Sequence, residues 1–154
     1  MQDFADFSVD NTAFPNLKAW TTALQAKNRK LTLIIDAALA AEGVEQTYYN
    51  QANAAKALIA STAYPEDNKG WLMQKLWPGK AVFLDFFNDA AVEIWKGGLN
   101  DLWDAVPYDG IWLDLNEASG DCNGECGATI PNNTETASAA PSWYDKFGSL
   151  LSAV

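Results

Sequence analysis

Three short apolar runs, each followed directly by an aspartate, constrain the fold of this chain more than any other feature. Such runs are typical of strands that are buried on both faces of a parallel sheet. Helical patterns precede the first run and separate the second from the third, and this order predicts an α/β fold. The C-terminal ends of parallel strands share one side of a sheet, so the aspartates are expected to converge there. The runs are 31–35, 81–84 and 111–113, and the aspartates are Asp36, Asp85 and Asp114.

Two helices are predicted from apolar residues spaced three and four apart. The first covers 14–27, with Asn11 or Thr12 as its N-cap. The second follows Asn88, a favourable capping residue, and continues to Val106. The alternative for the aspartates at the strand ends is that each only caps a following turn.

A long polar segment, 37–80, separates the first two apolar runs. Weak strand patterns at 56–61 and 71–76 flank a turn-like stretch at 64–70, which predicts a hairpin in this segment. Long connections in compact domains are commonly functional, so the segment is interpreted as an excursion from the α/β scaffold. After the third run, 118–142 reads as loop and 143–154 as a helix.

Composition excludes several classes of function. Asp and Glu total 20 against 10 Lys and Arg, a net charge of −10, so neither nucleic acid nor an anionic membrane surface is an expected partner. No apolar run reaches about 18 residues, the length that a membrane span requires. The sequence has no histidine. This excludes Ser-His-Asp and Cys-His catalysis and histidine-ligated metals within the chain.

The two cysteines, Cys122 and Cys126, lie four positions apart in a glycine-rich polar loop. Their spacing leaves three interpretations open: a local disulfide, pairing with a cysteine outside the chain, and a weak zinc signal.

Tryptophans close to the strand-end aspartates indicate a sugar site. Trp71, Trp77 and Trp112 lie near the apolar runs in the sequence. A tryptophan face can cover the apolar face of a pyranose, while carboxylates accept hydrogen bonds from its hydroxyls. The alternative for each tryptophan is an ordinary core position. The residues themselves therefore predict an α/β domain with an acidic, aromatic site.

A family resemblance sharpens this interpretation. The segment 111–117, I-W-L-D-L-N-E, resembles the W-x-D-M-N-E signature of glycoside hydrolase family 31, the α-glucosidase family. Order and spacing of the family's motifs agree over about residues 1–117. The other matching segments are 6–8 for the family's stretch before the first strand, 33–39 for I-V-D-P-A-I, 77–79 with 82–88 for W-P-G…F-P-D-F-T-N, and 106–110 for V-P-F-D-G.

Some positions depart from the family pattern. Ala37 and Leu84 replace prolines, Leu115 replaces the usual methionine, and 118–120 reads A-S-G where the family has P-S-N. These changes are expected to alter the shape of the loops after the strands more than the chemistry.

The resemblance implies a set of site residues. Asp114 would be the catalytic nucleophile, and Glu117 would support the site by hydrogen bonding. The acid/base partner comes from a later strand of the family's domain, outside this chain. The residues that would line the subsite for the non-reducing glucose are Ile34, Asp36, Trp77, Trp112 and Leu115.

The resemblance also implies an architecture. Residues 1–117 would form part of a (β/α)8 TIM barrel, with 37–80 as a long β-hairpin-like insertion after the first strand. Residues 118–154 would continue the same domain as a loop and a possible helix. A whole barrel takes about 250 residues. The remainder is therefore expected from a longer chain or from a partner.

The function implied by the resemblance is that of a fragment of a retaining glycosidase that acts on α-glucosides or oligosaccharides, without a metal or other cofactor. The alternative is a non-catalytic carbohydrate-binding or interaction module derived from the same family. The resemblance, together with the N-glycosylation sequon at Asn132, favours a secretory, lysosomal or extracellular location.

Overall fold

The computed structural model describes residues 1–43 and 46–127. The helix predicted at 143–154, the later part of the 118–142 loop and the Asn132 sequon lie outside the described residues. None of the helices within these ranges has the length and apolar character needed to cross a membrane. The described elements are β1 (Thr32–Asp36), β2 (Ala38–Ala40), β3 (Met73–Leu76), β4 (Gly79–Phe83) and β5 (Gly110–Asp114), with helices α1 (Leu17–Gln25), α2 (Thr47–Ala54) and α3 (Asp89–Ala105).

Strands β1 and β5 pair in parallel, which confirms the predicted pairing of the first and third apolar runs. Their predicted burial on both faces is wrong for the described residues, since Ile34, Trp112 and Leu113 are exposed. Parallel neighbours require a crossover connection, and α3 is the helix that leads into β5. Asp109 fixes the start of this pair, because its carboxylate accepts hydrogen bonds from the Leu31 backbone N–H and from Gln25 Nε2, both at 3.0 Å. It also pairs with Lys30 at 3.0 Å. These bonds hold the pKa of Asp109 at about 2.

The second apolar run does not join this sheet, so the prediction of a third parallel strand at 81–84 is wrong. The run lies in β4, which pairs antiparallel with β2 on one side and β3 on the other. A continuous apolar run signals burial on both faces, and Ala81, Val82 and Phe83 are indeed buried. Burial of this kind does not reveal which sheet a strand enters.

The segment between β1 and α3 contains more structure than its sequence predicts. The strand pattern at 56–61 yields only isolated bridges, Leu58 to Leu84 and Ala60 to Trp71. Helix α2 was not predicted. Its sequence lacks the helical spacing of apolar residues, because two adjacent tyrosines, Tyr48 and Tyr49, supply most of its buried face.

Both predicted long helices are confirmed, with shifted boundaries. Helix α3 begins after Asn88, whose side chain caps it by accepting a hydrogen bond from the Ala90 N–H at 2.9 Å. Helix α1 begins after Asn16, with no side-chain cap, so the expected capping by Asn11 or Thr12 is wrong. Asp10 instead accepts from the backbone of the turn that precedes the helix.

The core lies between α3, α2 and the strands. Phe7 connects these layers: its ring packs edge-on against Tyr48 at 4.8 Å and Trp95 at 5.1 Å between centroids. The ring rests on α3 where Gly98 leaves room, since a Cβ there would lie 2.6 Å from Phe7 Cδ2. The N-terminal segment is thus anchored in the core by one aromatic side chain.

The polypeptide after β5 turns back over the antiparallel sheet. Cys122 and Cys126 form a disulfide, which resolves the three open interpretations. The Cys126 N–H donates to the Met73 carbonyl at 2.9 Å, and the Asp121 N–H donates to the Lys75 carbonyl at 3.0 Å. Gly120 permits this close approach, because a Cβ there would lie 2.7 Å from the Lys75 carbonyl oxygen.

The carboxylate of Glu125 attaches the same loop to the segment 61–63. Glu125 accepts hydrogen bonds from the Ser61 hydroxyl, from the Thr62 N–H at 3.0 Å and hydroxyl at 2.8 Å, and from the Ala63 N–H at 3.2 Å. These donors, Ser61 first, hold the pKa of Glu125 at about 2.

Candidate active site

The two parallel strands bring the first and third aspartates side by side. Asp36, the last residue of β1, lies opposite Asp114, the last residue of β5. Two positions earlier, Ile34 lies opposite Trp112. Side chains two residues apart point to the same face of a strand. These four side chains therefore share one face of the sheet, with the carboxylates at its C-terminal edge.

Asp36 is the more enclosed of the two carboxylates. It is 9% exposed. Burial raises its pKa above the usual value, and the charge of Asp114 raises it further. Two carboxylates that face each other at the end of neighbouring strands repel, so the site favours a state in which one charge is neutralised or solvated.

The backbone after Asp114 is strained. Leu115 has a φ of 47°, in the left-handed region that leucine rarely adopts. Its N–H donates to Asp114 Oδ1 at 3.0 Å. A residue held in this region costs about 1–3 kcal/mol and commonly marks a functional site. The strained residue lies directly after the carboxylate at the end of β5.

Trp77 is 67% exposed and Trp112 is 58% exposed, so neither belongs to the core of the described residues. Trp112 lies on the face that carries the aspartates. Trp77 lies in the turn between β3 and β4, with its ring centroid 6.4 Å from that of Phe4. Trp71 is partly buried and donates from Nε1 to Asn53 Oδ1 at 2.7 Å, as expected for the alternative core interpretation.

Asp85 does not follow a strand of the parallel sheet, so the prediction that all three aspartates end parallel strands of one sheet is wrong. It follows an antiparallel strand, and its Oδ1 accepts from the Phe87 N–H at 3.0 Å, the turn-capping alternative. Glu117 lies three residues beyond the end of β5 and is exposed.

One further acidic residue belongs to the group, and the sequence interpretation did not include it. Asp6, 6% exposed, accepts a hydrogen bond from the backbone N–H of Asp36 at 3.3 Å. Burial and the charge of Asp36 raise its pKa to about 8. Asp6 lies in a stretch without clear period. Its only sequence signal was the match of Asp6-Phe7-Ser8 to the family's stretch before the first strand.

The described residues contain no group of three or more His, Cys, Asp or Glu side chains placed to hold a metal ion. The arrangement at the strand ends is therefore a pair of opposed carboxylates beside an exposed tryptophan, with a third carboxyl group buried behind Asp36. Such a pair suits the binding of a hydroxylated ligand and nucleophilic attack by one of the carboxylates.

Comparison with known proteins gives one family. The sequence profile described as "Glycosyl hydrolases family 31 TIM-barrel domain" matches residues 1–148. Alpha-xylosidase 1 of Arabidopsis thaliana is 32% identical over 146 residues, which are 93% of this chain and 15% of that protein. Lysosomal alpha-glucosidase of Bos taurus is 27% identical over 139 residues, 88% of this chain and 14% of that protein.

Solved structures share the fold. A Tris-bound glucosidase II alpha subunit superposes with a TM-score of 0.64 at 24% identity, covering 75% of this chain and 12% of that one. A family 31 alpha-glucosidase from Bacteroides thetaiotaomicron superposes with a TM-score of 0.52 at 24% identity, covering 85% of this chain and 21% of that one.

These likenesses fit a partial (β/α)8 barrel in which β1, α3 and β5 form one β-α-β unit. The chain spans only a small fraction of its relatives, 15% of the Arabidopsis protein and 14% of the bovine one. Its profile match nevertheless extends over nearly all of its length. The chain belongs to glycosyl hydrolase family 31 and represents part of that family's TIM-barrel domain.

Proposed function

We propose that this chain supplies the nucleophile half of a retaining glycosidase that hydrolyses α-glucosides or related α-glycosides. The observation that carries the proposal is the position of Asp114. It ends a parallel strand directly opposite Asp36. It is followed by a strained residue, Leu115, and belongs to the segment that resembles the family's W-x-D-M-N-E signature.

Retaining hydrolysis needs two carboxyl groups about 5–5.5 Å apart, on either side of the anomeric carbon. Asp114 would attack that carbon and form a glycosyl ester, while the glycosidic bond to the leaving oxygen breaks. The acid/base group would protonate that oxygen and then take a proton from the water that attacks the anomeric carbon, which breaks the ester and releases the Asp114 carboxylate. By the family resemblance, this second group comes from a later strand that the chain does not contain.

The remaining site residues are proposed to hold the non-reducing sugar. Trp112 and Trp77 expose aromatic faces suited to a pyranose, and Asp36 offers carboxylate oxygens to its hydroxyls. Ile34 lies two residues before Asp36 on the same face, and Leu115 would border the nucleophile. Glu117 is proposed to support the site by hydrogen bonding, since it lies beyond the end of the strand and off the face that carries Asp114.

The site requires the remainder of a barrel, from a longer chain or from a partner. In the described part of the structure, the β1–β5 sheet has two strands, and Trp112 and Leu113 are more than half exposed. Parallel sheets in α/β proteins are normally covered on both faces. Further strands and helices of the barrel would cover this sheet and complete the sugar site.

A secretory, lysosomal or extracellular location is part of the proposal. Two observations support it: the disulfide between Cys122 and Cys126, which is typical of oxidising compartments, and the likeness to lysosomal alpha-glucosidase.

The proposal is tested by substitution in the full-length polypeptide. Asp114→Asn should lower kcat on aryl α-glucosides and α-xylosides by orders of magnitude and should leave glucose binding largely unchanged. Asp85→Asn is the matched control: it keeps the turn-capping oxygen, so activity should stay near wild type. Equal loss in both variants would contradict the assignment of Asp114.

The non-catalytic alternative predicts a different result in the same assay. A carbohydrate-binding module would bind glucose or maltose with no turnover in the wild-type protein. Turnover that depends on Asp114 would exclude it.

A further inference from the structure

A buried carboxyl group lies behind the candidate active site without a role in the proposed chemistry. Asp6 is 6% exposed, and its Oδ1 accepts the backbone N–H of Asp36 at 3.3 Å. That amide belongs to the last residue of β1, directly opposite Asp114. The bond therefore joins the N-terminal segment to the end of the strand that carries the site.

Packing and hydrogen bonds hold the segment around Asp6 in a fixed position. Its neighbours Ala5 and Phe7 are buried, at 4% and 7% exposure. Phe7 is wedged between Tyr48 and Trp95. The Ser8 hydroxyl donates to the Ala5 carbonyl and accepts from the Gln2 N–H at 2.8 Å, closing a tight turn around Asp6. A rigid segment of this kind can hold the hydrogen-bond partner of Asp36 at a fixed position.

The charged groups that face Asp6 are mostly of its own sign. Asp36 approaches from β1, with Asp114 opposite it on β5, and the amino group of Met1 has a weaker effect that lowers the pKa of Asp6. Within the described ranges, no lysine or arginine forms a salt bridge with Asp6. Helix α2 contributes Tyr48 and Tyr49, which border a cavity of about 10 Å³ beside Asp6.

We propose that Asp6 is a positioning residue for the proposed glycosidase reaction: by binding the last amide of β1, it fixes Asp36 opposite the nucleophile. This inference rests on the proposed function. Asp6 does not touch the sugar. Its effect reaches the reaction through the orientation of Asp36 and through the charge that Asp36 faces.

The protonation state of Asp6 predicts a pH dependence of the glycosidase activity. With a pKa of about 8, Asp6 is mostly protonated below that pH. Ionisation would strengthen the hydrogen bond from the Asp36 N–H, but the repulsion between the two carboxylates is the larger effect and would raise the pKa of Asp36 further. Glycosidase activity should therefore carry a contribution from Asp6 that is lost as the pH rises through about 8.

The test compares Asp6→Asn with Asp6→Ala in the full-length polypeptide, using an aryl α-glucoside. Asparagine keeps the accepting oxygen but cannot ionise. At pH 6 it should retain near wild-type kcat/KM, whereas alanine should lose up to about 100-fold through misplacement of Asp36. The ratio of kcat/KM at pH 9 to that at pH 6 should be higher in Asp6→Asn than in wild type. The gain approaches about tenfold, since one pH unit above a pKa is a factor of ten.

The outcomes separate this inference from the proposed function. Wild-type protein without activity on any α-glycoside refutes both. Active wild-type protein refutes the role of Asp6 alone if Asp6→Ala is unimpaired, or if Asp6→Asn keeps the wild-type pH ratio. Should Asp6→Ala fail to fold, the pH ratio of Asp6→Asn decides by itself, with circular dichroism as the check on its fold.

Discussion

Two adjacent glycines in α3 should respond to the same substitution with opposite signs. Gly97 and Gly98 both lie inside the helix, where replacement of glycine by alanine gains about 0.8–1 kcal/mol of stability. A Cβ at Gly97 would meet nothing within 4 Å. Gly97→Ala should therefore stabilise the protein by up to about 1 kcal/mol.

Gly98→Ala should destabilise it. The added Cβ would lie 2.6 Å from Phe7 Cδ2 and 2.7 Å from both Cε2 and Cγ. The whole ring would have to move, and it is held by Tyr48 and Trp95. Overpacking of this kind costs about 1–3 kcal/mol. After the helix gain is subtracted, the expected net loss is up to about 2 kcal/mol.

Urea unfolding of the two variants and wild type measures these values, with the midpoint and slope fitted together. A double-mutant cycle with Phe7→Leu isolates the cause, because a smaller side chain should relieve much of the cost of Gly98→Ala. The reasoning is refuted if Gly98→Ala is as stable as Gly97→Ala, or if the Phe7→Leu background leaves its cost unchanged.

Three further predictions concern the site and its supporting loop. The 154-residue chain alone should show no α-glucosidase activity above an Asp114→Asn control, because general acid–base help worth about 10²–10⁴-fold is missing; release of aglycone above that control would contradict this. Glu125→Gln should weaken the attachment of the loop at neutral pH. Wild-type stability should fall as the pH drops from about 4.5 towards 2, because the pKa of Glu125 is lowered in the folded state. Acid titration of unfolding in both proteins checks this. Reduction of the Cys122–Cys126 disulfide should make the Cys126 amide exchange faster, which hydrogen exchange would detect, and an unchanged rate would show that the hydrogen bonds suffice.

The parallel pair and its site face could be predicted because their signals are local. Continuous β-branched and leucine runs predict strands, and an aspartate at each end predicts a polar edge. The family motifs then aligned Asp36 and Asp114. Leu115 was noted only as a substitution, since backbone strain leaves no mark in composition or periodicity.

The parts that could not be predicted depend on long-range packing. The run at 81–84 looks like any buried strand. Its partner β3 forms a local hairpin with it, but its other partner, β2, lies more than 40 residues earlier in the chain. Asp6 lies in a segment whose burial comes from Phe7 and from α3, about 90 residues later. A single carboxylate in a short aromatic stretch is indistinguishable in sequence from an exposed one.

Covalent labelling tests the central claim, that Asp114 is the nucleophile of a retaining glycosidase. The full-length polypeptide is incubated with a cyclitol epoxide that esterifies retaining α-glucosidases, digested, and mapped by mass spectrometry. The account predicts one modified residue, Asp114, with protection by excess glucose. A label on Asp36, Asp85 or Glu117 with Asp114 unmodified would contradict it.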